Sequence, residues 1–253
     1  MVAQDKHMPE IDISLLFIPL LFTVAFLYAS VGHGGASGYL ALMALFSFQP
    51  YTMRPSALIL NIFVSLIAFY QYWKGGHFKP RLFFPFIITS IPASFLGAYI
   101  SIDAMVYKKI LGILLIFPIL RLLGAFGKEH DKQTDVNLPL ALLAGAIIGL
   151  FSGMIGIGGG IILSPIILLM HWGNMKETAA VSALFIAVNS VSGLIGLYIN
   201  GLTITPDIYL WIAIAIAGGT AGSYLARTRF NNRILKTLLA VVLLMASIKL
   251  MLT

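Results

Sequence analysis

Ten apolar runs divide this chain, at about residues 13–31, 36–49, 55–73, 82–101, 104–123, 138–155, 160–172, 178–199, 208–225 and 234–252. Most approach 20 residues, the length an α-helix needs to cross a hydrocarbon core about 30 Å thick. The joints between them are short and polar. Only 10% of the residues are charged, where an average soluble domain has about a quarter. These features predict an all-α membrane protein, a polytopic helical bundle. The alternating strands that a β-barrel needs are absent from the pattern.

The chain has no cysteine, which excludes disulfides, thiol catalysis and cysteine-ligated metals. Its net charge of +7 sits in the joints, where lysine and arginine meet lipid headgroups and set orientation. A nucleic-acid partner is not implied. The acids lie in or beside joints, so no carboxylate stands mid-run where it would serve cation coupling. The histidines are scattered, with no metal-ligand cluster. No cofactor, metal or catalytic group is expected.

The two halves of the chain repeat. Each reads long, short, long, long, long. Residues 1–12 form a polar leader, 13–126 a first transmembrane repeat, 127–137 a polar linker and 138–253 a second repeat. Gly32-His33-Gly34-Gly35 aligns with Gly156-Ile157-Gly158-Gly159, and Ser56-Ala57-Leu58 with Ser182-Ala183-Leu184. Asn61 and Asn189 follow at similar distances, and Gly97-Ala98-Tyr99 matches Gly222-Ser223-Tyr224. Five runs per half is an odd number, so the second half should be inverted. The joint 74–81 carries Lys74, Lys79 and Arg81 while its counterpart 200–207 carries no cation, which favours inversion. Re-entrant short runs would instead give a parallel repeat.

The short runs, 36–49 and 160–172, cover roughly 20 Å at 1.5 Å per residue, less than the core thickness. A glycine turn precedes each and should lie within the membrane. Irregular backbone at that depth must be buried in protein or line a cavity. Glycines at Gly153, Gly156, Gly158, Gly159 and Gly160 disfavour a plain helix and let backbone N–H groups approach a ligand. A helix restarting at about Gly160 would aim its free N–H groups and positive dipole end at the turn, a generic anion seat. Close helix packing is the competing explanation for such glycines.

The expected substrate-binding set is therefore Gly32, His33, Gly34, Gly35 and Ser37 from the first turn, and Gly156, Gly158, Gly159 and Gly160 from the second. Asn61 and Asn189 would donate from side-chain amides, with interhelical bonding as their alternative role. His33 could donate to an anion from its imidazole, and Ile157 occupies its place in the second half. Arg54 and Lys176 sit at matching joints, where they would mark topology or attract anions at each entrance. Gly35-Ala36-Ser37-Gly38 fits the GxSG serine loop of rhomboid-type proteases. That chemistry needs a nearby histidine base. Ile161 stands at the position matching Ser37, so the turn and not the hydroxyl is the repeated feature.

The element Gly156-Ile157-Gly158-Gly159-Gly160-Ile161-Ile162-Leu163-Ser164-Pro165, with its degenerate copy Gly32-His33-Gly34-Gly35-Ala36, resembles the TauE/SafE family of membrane proteins. Chain length, repeat and central linker fit as well. Ala36 and Ala41 depart from the fuller pattern, in place of a glycine and of Pro165. The resemblance implies export of sulfur-containing oxyanions such as sulfite or organosulfonates. The reading is a secondary transporter working by alternating access in the cell (inner) membrane. A passive anion channel with the same lining and a protease at Ser37 are the alternatives, and a cation transporter is disfavoured. The partners expected are a small anion and the lipid bilayer, with a homodimer left open.

Overall fold

A computed structural model describes residues 13–30, 34–124, 133–202, 204–225 and 232–252. Among them all regular structure is helical: α1 (Ile13–Ser30), α2 (Ala36–Leu45), α3 (Pro50–Lys74), α4 (Pro80–Tyr99), α5 (Ala104–Leu114), α6 (Ile116–Leu122), α7 (Leu138–Ile155), α8 (Gly160–Leu169), α9 (Met175–Ile199), α10 (Ile208–Leu225) and α11 (Asn232–Leu252). Within the described residues, α3, α4, α7 and α9 are each long and apolar enough to cross a membrane.

Residues at the joints set the helix starts. Pro50 and Pro80 occupy first-turn positions, where a missing N–H costs nothing. Asp103 accepts from Met105 N and Val106 N, and Asn137 from Leu140 N. Asn174 and Glu177 form a capping box that opens α9. Glu177 also accepts from Gln133 Nε2 at 2.9 Å and pairs with Lys79 at 3.5 Å. These contacts tie the start of α9 to the joint before α4.

The run at 104–123, expected to be one span, is interrupted at Leu115 between α5 and α6. Pro118 explains the break, because it has no N–H for the Leu114 carbonyl and its ring crowds that group. The two short runs are shorter as helices than as apolar stretches. At ten residues each, α2 and α8 rise about 15 Å, half a hydrocarbon core. Both are sheathed. Nine residues of α2 and seven of α8 are buried. One apolar core packs α2 among α1, α3, α5, α10 and α11, and a second packs α8 among α4, α7 and α9.

Glycine brings the long helices to backbone contact. Gly145, Gly149 and Gly153 of α7 lie on the carbonyls of Phe86, Ser90 and Ser94 of α4. Both sets step by four, so these helices run parallel. Gly218 and Gly222 of α10 lie on Phe22 and Phe26 of α1 in the same sense. Ser192 and Gly196 of α9 meet Ile91 and Phe95 of α4, again in parallel. Val64 and Gln71 of α3 meet Gly219 and Ser223 of α10, in parallel too. Leu58 of α3 contacts Gly193 of α9, while Asn61, further along α3, shares Gly158 with Ser190, earlier on α9. So α3 and α9 are antiparallel. One set, α1, α3 and α10, opposes the other, α4, α7 and α9.

A side chain at these glycines has nowhere to go, because the obstacle is backbone. Gly153→Val should lower stability by on the order of 3 kcal/mol. Gly76→Ala, at φ 72 with open space around it, should lose only about 1 kcal/mol through its left-handed conformation. Thermal unfolding of both variants in detergent would rank them, and equal losses would contradict the backbone-contact reading.

Candidate functional site

The two glycine turns differ from ordinary helix starts in the same way. Gly35 precedes α2 at φ 88 and Gly159 precedes α8 at φ 75, both left-handed. Gly156 and Gly158 are left-handed as well, at φ 87 and 77. Only glycine adopts such a succession without strain. Neither Gly35 nor Gly159 has a side chain to cap its helix, and neither helix carries an acid in its first turn. Each buried start therefore keeps N–H groups with no side-chain acceptor, together with the positive end of a helix dipole.

Helix ends nearby are treated oppositely. Arg54, 9% exposed, donates from Nη2 to Ala98 O at 3.1 Å and to Gly153 O at 3.3 Å. It thus serves the last turns of α4 and α7 together. Tyr107 Oη donates to Ile155 O at 2.9 Å. Lys249 Nζ donates to Leu45 O at 2.7 Å, closing the end of α2. Carbonyl ends receive cations and hydroxyls, which match their partial negative charge. The N–H ends are left for something else.

The turns meet on shared side chains. A β-carbon at Gly34 would lie 3.3 Å from Asn61 Oδ1 and 3.2 Å from Ile186 Cγ2. One at Gly158 would lie 2.7 Å from Asn61 Nδ2, 2.9 Å from Ile186 Cγ2 and 3.2 Å from Ser190 Oγ. Gly160 packs on Ile186 too. Asn61 and Ile186, on the antiparallel helices α3 and α9, thus lie between the two turns. Around this contact several buried polar atoms have no hydrogen-bond partner: Asn61 Oδ1, Ser190 Oγ, Ser152 Oγ beside Gly159, and Tyr39 Oη beside Gly35. Burying such an atom unpaired costs about 1–3 kcal/mol, so the cluster is a sign of a binding place rather than of packing alone.

The asparagines differ from expectation in which atoms are free. Asn61 Nδ2 donates to Ile157 O at 3.3 Å and Asn189 Nδ2 to Phe185 O at 2.9 Å. Both side chains are fully buried, and in both the unpaired atom is the carbonyl oxygen. Ser37 is buried, with its hydroxyl 2.6 Å from that of Tyr28. In the second half Ser164 pairs with Ser182 at 2.7 Å. Arg54 lies inside, under the turn at Gly156, whereas Lys176 is exposed in the first turn of α9. Gly32 and His33 lie outside the described residues.

Tyr28, Tyr39, Tyr107, Ser152 and Ser190 were not singled out from the sequence. Their signal was present, since a hydroxyl inside an apolar run needs a partner. A groove of about 650 Å³ between α3, α4 and α9 is lined by aliphatic groups such as Leu66, Ile91 and Ile195. It lacks the donors an anion needs, and the polar cluster at the turns is the better candidate site.

The chain is similar to known membrane transporter proteins. The family described as sulfite exporter TauE/SafE matches residues 17–250. The probable membrane transporter protein y4hK of Sinorhizobium fredii (strain NBRC 101917 / NGR234) is 36% identical over 234 residues, 91% of this chain and 95% of that protein. The probable membrane transporter protein MJ0441 of Methanocaldococcus jannaschii is 28% identical over 194 residues, 72% of each. The probable membrane transporter protein YdhB of Bacillus subtilis is 25% identical over 236 residues, covering 89% of this chain and 93% of that one. No solved structure gives a significant match.

The geometry makes Arg54 a clamp on two helix ends. Arg54→Met keeps the stem and removes both donations, and should lower stability by about 2–3 kcal/mol. Lys176→Met, on an exposed side chain, should change it by less than about 0.5 kcal/mol. Detergent melting curves of the two variants check this, and a silent Arg54→Met would remove the clamp.

Proposed function

The chain belongs to the TauE/SafE family of membrane transporters, and from that premise we propose that it is a secondary transporter of small sulfur-containing oxyanions. Its place is the cell (inner) membrane, and its direction of net transport is export. The observation that carries the reading is the pair of buried, uncapped helix starts, at Gly35 and Gly159, which converge on Asn61. A sulfite or sulfonate group is a compact anion with several acceptor oxygens. N–H groups at helix N-termini suit it, and half-helices that meet within a bundle are a recurring way to bind anionic groups in transporters.

The proposed substrate seat comprises Gly34, Gly35, Gly156, Gly158, Gly159, Gly160, Asn61 and Asn189, and the proposal extends to Gly32 and His33, which precede Gly34 in the chain. Ser37 braces that turn through Tyr28. Its hydroxyl partner is a phenol and not an imidazole, which favours transport over peptide cleavage. Alternating access follows from an inverted repeat of 13–126 and 138–253. Support for inversion comes from direction: α1 and α7, α3 and α9, and α4 and α10 are corresponding segments, and each pair runs in opposite senses. Support also comes from packing, since α1 rests on α10 through glycines as α7 rests on α4.

Reconstituted vesicles test the proposal. Sulfite or sulfonate flux should saturate and show counterflow. Gly158→Val, at a left-handed position between Asn61 and Ser190, should lower that flux more than about tenfold. Gly201→Ala, in open space, should leave it near native. Flux untouched by Gly158→Val would refute the seat, and flux that never saturates would assign a passive pore.

A further inference from the structure

The unpaired atoms of the seat are not all of one kind. Helix starts supply N–H donors, and hydroxyls such as Ser190, Ser152 and Tyr39 can donate or accept. An amide carbonyl oxygen can only accept. The orientation of Asn61 is settled by its bond to Ile157 O, because only an N–H can face a carbonyl. Asn61 Oδ1 is thus an obligate acceptor, fully buried, without a partner, and beside Gly34. Asn189 on α9 shares part of this: its nitrogen is spent on Phe185 O of its own helix, its oxygen is unpaired, and the Phe185 ring packs on Gly159.

A fully deprotonated oxyanion, or a sulfonate without other polar groups, offers these oxygens only lone pairs. The contact would be repulsive, and each carbonyl would stay unsatisfied. A ligand that keeps one O–H, or bears a hydroxyl or ammonium group, can accept from the helix starts and donate to the amide oxygen. We propose that the seat selects small monoanions that carry their own hydrogen-bond donor, of the hydrogen-oxyanion kind, over donor-free anions of equal size and charge. This rests on the anion reading given above and narrows it. Sites built to pair a ligand hydroxyl discriminate strongly against analogues that lack it, because the buried partner is then stranded.

Two probes separate the cases. Methylphosphonate at mildly acidic pH and methanesulfonate are both tetrahedral monoanions with a methyl group, but only the phosphonate has an O–H. Calorimetric titration of the native full-length protein in detergent should give at least about tenfold tighter binding of the phosphonate. Gly201→Ala, in open space away from the seat, should preserve the order of preference, and Asn61→Leu should abolish it. The native comparison decides even if Asn61→Leu does not fold. Equal affinities, or a preference for methanesulfonate, would overturn the inference while leaving an anion seat in place. Binding that requires sodium and ignores the O–H would overturn it in favour of a cation at the amide oxygens. Binding of neither anion would overturn both this inference and the anion reading on which it rests.

Discussion

Backbone polar groups inside a bilayer have no water to turn to, and the structure is arranged around that shortage. A continuous helix satisfies its own interior groups, but α2 and α8 are only ten residues long and expose ends at depth. The carbonyl ends nearby are met by Arg54, Tyr107 and Lys249. The N–H ends, at Gly35 and Gly159, are met by no side chain. An end left open in a low-dielectric place attracts negative charge more strongly than it would in water. The asymmetry between capped and uncapped ends is the basis on which an anion site at the two turns is proposed.

Close packing of the long helices holds that arrangement. In lipid, helices gain little from hydrophobic burial against one another, and association depends on tight contact. Glycines at 145, 149 and 153 let α7 lie on the carbonyls of α4, and those at 218 and 222 do the same for α10 on α1. The glycines of the turns answer a different need. At Gly35, Gly156, Gly158 and Gly159 the backbone itself is left-handed. Glycine is therefore used here for two reasons that look alike in a sequence, close helix packing and a left-handed turn. Gly153 is a packing glycine, and Gly156, Gly158 and Gly159 are turn glycines.

Much of the fold was legible because period and length act locally. Each of the ten apolar runs overlaps an observed helix, although α3, α4, α9 and α11 begin two to five residues before their runs, and each short helix follows a glycine turn as expected. The break at Leu115 was missed because hydropathy does not change there, although Pro118 carried the signal. The site was legible in part. Asn61 stood out as an amide in an apolar run, yet its free atom is an acceptor where a donor was expected. That depends on Ile157 O lying within reach, 96 residues away along the chain. Arg54, at a joint in the sequence, was expected to mark topology or attract anions, but the ends of α4 and α7 converge on it.

The sequence alone determined that this chain is a membrane-embedded helical bundle, with two interrupted helices that begin at glycine turns. Those properties follow from run length, composition and the backbone freedom of glycine, all of which act over a few residues. Tertiary structure alone decided that both turns rest on Asn61 and Ile186, which polar atoms there stay unpaired, and which cations close the neighbouring helix ends. The physical reason is that a hydrogen bond is satisfied by whatever lies within about 3 Å. In a bundle of crossing helices, distance along the chain carries no information about that.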